Sequence, residues 1–241
     1  MPLNSESAWG YSAGKDVDVG TYTGKSLCFD DGTSQSLTRT FGTANGDTWT
    51  FSCWLKRATL GNSGTIFGRG STNACLTFKT DDKLYINDDG AVEYSTTAVF
   101  RDTSAWMHII LTGNGTLNKL YVNGVLQTLS GSPNVGDFNT NAEHRIGNNA
   151  AYGYADLYLA DVHFVDGTEV AVSSFGETSD DTGAWVVKTY TGSYGDNGFH
   201  LEFKETGTGT ASTSTIGADT SGETNHWTSS NFASTDSALP D

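Results

Sequence analysis

The sequence predicts an all-β protein built as a sandwich of two antiparallel sheets. Short runs that alternate apolar and polar residues recur from Lys25 to about Lys204, while helical periodicity is nearly absent. Between the runs lie turn residues: 29 glycines and many Ser, Thr, Asn and Asp, with only 3 prolines. The 241 residues fall within the range of about 200–250 that such sandwiches reach as one unit. Hydrophobic residues make up only 36% of the chain, but 12% is aromatic, and large rings fill a thin two-sheet core efficiently.

The elements follow in order. In Thr48–Arg57, Trp49, Phe51, Cys53 and Leu55 fall on one face and Thr50, Ser52, Trp54 and Lys56 on the other, which predicts a central strand with a second tryptophan on its far side. Residues 83–87 and 91–95 flank Asp88-Asp89-Gly90, and residues 119–122 and 125–128 flank Asn123-Gly124. Both pairs predict hairpins, because Asn, Asp and Gly accept the positive φ of tight turns. Residues 106–111 form an apolar run containing His108. Residues 156–165 place Leu157, Leu159, Asp161 and His163 on one side and Tyr158, Ala160, Val162 and Phe164 on the other.

The ends differ. Residues 1–24 lack alternation and predict an N-terminal arm for attachment or oligomerisation, with Trp9, Tyr11 and Tyr22 as anchors. Ordering such an arm costs about 1–2 kcal/mol per residue, so it stays disordered, folds back onto its own sandwich, or docks on another subunit; as an attachment device it implies a symmetric homo-oligomer, a trimer among the options. Residues 25–205 are read as the sandwich. Residues 206–241 are read as a Gly/Ser/Thr-rich segment partly packed on it, because Trp227 and Phe232 need somewhere to dock.

The formal net charge of −15 argues against nucleic-acid and membrane partners, since both require Lys and Arg to meet negative charge. The first ten residues have neither the basic start nor the apolar run of a secretory leader, so no signal peptide is expected and synthesis and retention in a cytoplasm are. Cys28, Cys53 and Cys75 are odd in number and lie in apolar runs, which predicts three free thiols.

Four segments in succession carry a resemblance: Ser26-Leu27-Cys28-Phe29, Thr48–Arg57, Ser104-Ala105-Trp106-Met107-His108-Ile109 and Lys119-Leu120-Tyr121-Val122-Asn123-Gly124. Their order and spacing resemble the laminin G-like, pentraxin-like domain, a jelly roll of the concanavalin A-like lectin/glucanase type, over about residues 25–166. A narrower resemblance runs through residues 156–167, 173–177, 183–185, 190–195, 197–203, 219–222 and 225–227, which are similar to sandwich proteins of marine bacteriophages. It implies a virion structural protein, assembled in the host bacterial cytoplasm as head decoration, head fibre, or tail fibre or spike, with other virion proteins as partners.

Candidate chemistry is sparse. No glutamate has Asp two positions on, as the strand-borne carboxylates of this superfold's glucanases require, and Glu202 and Glu205 fall on opposite faces of a regular strand. None of His108, His144, His163, His200 and His226 has a partner at metal-ligand spacing, and no serine elbow or phosphate loop occurs. The chain therefore reads as a non-enzyme. Calcium is the candidate cofactor, because Asp30-Asp31, Asp81-Asp82, Asp88-Asp89 and Asp180-Asp181 offer oxygens in turns, which are equally ordinary turn residues. Asp161 interrupts the predicted core face of a strand and reads either as a buried partner of Arg or His or, with Asp88 and Asp89, as an ion ligand. A lectin function for host surface glycans is the alternative. It would use Asn148, Asn149, Tyr152 and Tyr154 in one loop and Tyr190, Tyr194 and Asn197 in another, since aromatic faces stack on sugars while amides meet hydroxyls.

Overall fold

Alternation in the sequence becomes strand pairing almost everywhere in the computed structural model, which describes residues 22–44, 47–89 and 92–240. The first strands are β1 (Ser26–Phe29), β2 (Ser36–Thr40), β3 (Thr48–Arg57), β4 (Gly64–Arg69), β5 (Cys75–Phe78), β6 (Leu84–Asn87) and β7 (Glu93–Ser95). There follow β8 (Met107–Asn114), β9 (Asn118–Val122), β10 (Val125–Leu126), β11 (Glu143–Ile146), β12 (Asn148–Asn149), β13 (Gly153–Tyr154) and β14 (Leu157–Asp166). The last are β15 (Gly176–Thr178), β16 (Trp185–Val187), β17 (Phe199–Leu201), β18 (Thr228–Ser230) and β19 (Ser237–Ala238).

One sheet runs β10-β9-β8-β3-β14-β1-β19, with β17 also paired to β14; the other runs β18-β2-β11-β4-β5-β6-β7. Their inner faces enclose a single aromatic core, as expected for an antiparallel sandwich. Trp49, Phe51, Cys53 and Leu55 of β3 all point into it, and the Phe51 and Phe67 rings stack at 4.6 Å. The predicted hairpin at Asn123–Gly124 joins β9 to β10 with φ of 49° and 76°, the paired positive values of a tight hairpin turn. A side chain at Gly124 would also strike the Trp185 ring. Strands β6 and β7 pair as the other predicted hairpin, with Gly90 and Ala91 outside the described residues.

Residues 170–194 form a roof over the outer face of the larger sheet. Val187 and Trp185 pack on Trp54 and Ala160, and Phe175 and Tyr194 pack on Ile110 and Val165. The far face of β3 is thereby buried, which accounts for its second tryptophan.

The C-terminal segment is held more firmly than its composition predicts. β18 extends one sheet at β2, β19 extends the other at β1, and Trp227 is wholly buried in the main core. Among the arm's expected anchors, Trp9 and Tyr11 lie outside the described residues. Tyr22 folds back onto its own sandwich: it packs against the cluster of Trp54, Ala160 and Val187, and its hydroxyl accepts the Asp161 amide at 3.0 Å.

All three cysteines are free, Cys28 half-buried and Cys53 and Cys75 buried, and burial pushes the Cys75 thiol up to about 12. Alkylation of the native protein at pH 8 should modify Cys28 first. Cys53 and Cys75 should react only on unfolding, when three thiols per chain should count; a total of one would mean a disulfide.

Candidate functional site: the outer face of the central strand

Strand β14 sits in the middle of the larger sheet and carries the site because its regular register breaks. Its pairing with β3 shifts between Ala160 and His163, and Asp161 there adopts φ of 48°, a left-handed conformation that aspartate accepts more readily than most residues. Before this bulge Leu157 and Leu159 face the core; after it Val162 and Phe164 do. The extra residue exchanges the two faces of the strand. Asp161 and His163, expected on the core side, therefore lie on the outer face beneath the roof.

Strand β17 runs beside this half of β14 and sets His200 opposite His163. The two imidazoles stack at 4.0 Å between ring centres. His200 Nε2 donates to Asp161 Oδ1 at 2.8 Å. His163 Nε2 approaches the same oxygen at 3.0 Å but lies off the line of a hydrogen bond and has no hydrogen-bond partner among the described residues. The remaining ring nitrogens are engaged by hydroxyls, His163 Nδ1 with Tyr194 at 2.9 Å and His200 Nδ1 with Thr220 at 3.2 Å. Asp161 and His163 are 5% and 2% exposed, so these contacts form away from water. Burial alone would raise the Asp161 carboxyl, but His163 and His200 outweigh it and hold the group ionised below the usual carboxylate range. Burial and then His200 push His163 down.

A cavity of about 150 Å³ opens over this cluster, lined also by Tyr22, Thr189, Tyr190 and Glu202. Tyr190 stacks on Phe175 at 4.7 Å and its hydroxyl donates to the Ser193 carbonyl, which sets the wall.

Further along the same face Ser52 and His108 form a pair that resembles a nucleophile and its base, with Ser52 Oγ 2.8 Å from His108 Nε2. Its polarity is wrong for that chemistry. The Trp185 indole N–H donates to His108 Nδ1 at 2.9 Å, so the ring's own proton must sit on Nε2 and point at the serine. Burial pushes His108 down to about 3, which keeps it neutral in this arrangement.

The other predicted residues lie in turns and loops and in the separate short pair of β12 and β13. Asn148 and Asn149 form β12 beside β4: Asn148 accepts from Arg145, and Asn149 donates to the Arg69 and Thr72 carbonyls at 2.7 Å each. Lys79 sits over the Tyr152 ring, whose hydroxyl binds Glu93, and Tyr154 is half-buried in β13. Asn197 is 1% exposed and brackets Gly42 with both atoms of its amide. The Asn149 and Asn197 amides serve their own backbone and Asn148 an arginine side chain, whereas Tyr190 and Tyr194 belong to the cavity and cluster. Asp88 and Asp89 lie at the β6–β7 turn, where Asp88 accepts the Asp89 amide and Asp89 the Asn73 amide, and they do not join Asp161. Sequence reasoning passed over His163 and His200; the Asp161-x-His163 spacing was the available signal, while His200 arrives from a distant strand.

Two sheets wrapped round one aromatic core, with a polar cluster set into an outer face, define a lectin-type sandwich. The chain belongs to the concanavalin A-like lectin/glucanases superfamily, whose laminin G-type family model matches residues 30–168, more than half of its length. No curated protein matches it in sequence. Among solved structures it is similar to a heptameric SAP-like pentraxin of Limulus polyphemus, at 16% identity over 69% of this chain and 93% of that one, with a TM-score of 0.50. It is also similar to a Bacteroides ovatus protein assigned to carbohydrate binding, at 14% identity over 86% of this chain and 58% of that one, with a TM-score of 0.56. The chain thus spans under two thirds of the Bacteroides protein. At these identities the likeness establishes the fold alone.

Proposed function

We propose that the chain is a structural protein of a bacteriophage particle, displaying a non-catalytic sandwich on the head or tail. The observation that carries this reading is where the phage-like segments fall. They lie largely beyond the family match, and instead of forming a second unit they build the roof, the outer-face cluster and the Trp227 plug of the same sandwich. Their placement supports reading these segments as part of one covered module. A net charge of −15 suits dense display, because like-charged copies repel except where an interface is built. The partners proposed are further copies of the chain and other virion proteins, with assembly in the host cytoplasm. Mass spectrometry of gradient-purified particles should find the chain in many copies, and light scattering of the free protein should give a closed oligomer. Its absence from particles while abundant in the lysate would contradict the reading.

A lectin role is the second reading, favoured by the cavity in which Tyr190 and Tyr22 adjoin Asp161 and Glu202. Both roles fit one fibre. A glycan array run with calcium and with chelator should give binding to host-type surface glycans; clean absence of signal would leave display alone.

A further inference from the structure

We infer that Asp161, His163 and His200 hold one transition-metal ion of the Zn²⁺ class, with a fourth position open to the cavity. Three donor atoms, a carboxylate oxygen and two Nε2 nitrogens, all lie within 4.8 Å of one another. In a tetrahedral zinc site with bonds of about 2.0–2.1 Å, neighbouring ligands stand about 3.3 Å apart. The carboxylate–imidazole approaches of 2.8 and 3.0 Å need open by only a few tenths of an ångström, while the two imidazoles, stacked at 4.0 Å, must turn and part for both Nε2 atoms to face one ion.

The wiring of the imidazoles separates this reading from a plain buried ion pair. His163 Nε2 is buried, aimed at the cluster and without a hydrogen-bond partner among the described residues. When Tyr194 accepts the Nδ1 proton, Nε2 is left as a lone-pair donor 3.0 Å from a carboxylate oxygen, the pair of atoms that a cation would bridge. Tyr194 and Thr220, each on an Nδ1, are the outer partners that fix ring orientation when the opposite nitrogen binds a metal. The strand bulge is what brings Asp161 and His163 to this face, and Asp161 occupies it with a positive φ. The cavity supplies an entry path and room for a water or a ligand oxygen at the fourth position.

Two nitrogen donors decide the class of ion. Calcium and magnesium take oxygen shells, whereas imidazole with carboxylate suits zinc, cobalt, nickel and copper. The inference rests on neither functional reading above, and its test requires no particle and no glycan.

Full-length protein stripped with a chelator should be titrated with Zn²⁺ by calorimetry, with Ca²⁺ as control and Co²⁺ as a spectroscopic probe. One Zn²⁺ per chain, indifference to millimolar Ca²⁺, and the intense visible bands of four-coordinate Co²⁺ are expected. His200→Ala, at the partly exposed ligand, should abolish the Co²⁺ bands while the metal-free melting temperature stays within a few degrees. Tyr194→Phe, which removes only an outer partner, should weaken Zn²⁺ by about 10–100-fold. Absence of stoichiometric Zn²⁺ binding by the unmodified chain, or Co²⁺ bands that survive in His200→Ala, would overturn the assignment.

Discussion

Trp227→Ala is expected to destabilise the whole sandwich by about 3–5 kcal/mol, a large share of the roughly 5–15 kcal/mol that holds a typical domain together. The ring is fully buried, edge-on to Phe199 at 4.9 Å and to Phe41 at 6.1 Å, and its backbone closes against Gly217, whose missing Cβ would otherwise strike the Trp227 carbonyl. Removing the ring opens a void among side chains that belong to both sheets, and the strands around it have little room to collapse. The indole N–H has no hydrogen-bond partner among the described residues, so Trp227→Phe gives up little polar bonding and should cost much less than the alanine change. Urea denaturation followed by fluorescence and by circular dichroism should show one coincident transition, moved to lower urea with its slope unchanged. A loss below about 1 kcal/mol would show that the C-terminal segment is only draped on the surface.

Asp82→Asn is expected to cost a similar amount, about 3–5 kcal/mol, by leaving a buried cation without its counter-charge. Asp82 accepts from the Gly61 amide at 2.7 Å, from Arg57 at 2.9 Å and from Arg101 at 2.9 Å. Arg57 is 2% exposed and lies over the Phe78 ring. Asparagine keeps the shape and tolerates the left-handed φ of 62° at this position, so the change isolates the charge. The Gly61 amide, then the Arg101 and Arg57 guanidinium groups, hold the Asp82 carboxyl down at about 2 against the raising effect of burial. Its folded value lies below the unfolded value of about 3.9, so the stability it contributes is present above about pH 4 and is lost as pH falls towards 2. The natural chain should lose stability across that window, and Asp82→Asn should show a shallower acid limb. Equal slopes for the two proteins would remove Asp82 from the account.

How far the fold could be read from sequence depends on whether side-chain parity held. Where it held, as in β3 with its four inward residues and at Asn123–Gly124, strand, face and turn follow from alternation and backbone preference. β14 defeats that logic. Its alternation is clean on paper, yet the bulge at Asp161 inverts the second half of the strand, and no residue type announces a bulge formed by aspartate. The polar stretch before Trp227 misleads for another reason. It is ordered largely by bonds, with Ile216 as its foothold in the main core: Asp219 alone accepts the amides of His200, Ser221 and Asn225. Composition is blind to such bonds. The amides of Asn149 and Asn197 show the converse, residues with the right chemistry for sugar hydroxyls that the fold has spent on its own carbonyls and amides.

The outward turn of β14 is what creates the cluster, the cavity wall and the proposed metal ligands, so it is the claim to test most directly. Nuclear Overhauser contacts of the His163 ring protons in the full-length chain decide it. The account predicts contacts to Phe175, Tyr194 and His200, whose ring centres lie 5.3, 6.0 and 4.0 Å away. Contacts instead to inter-sheet residues such as Phe67 and Phe138 would place His163 on the core side of a regular strand and contradict it.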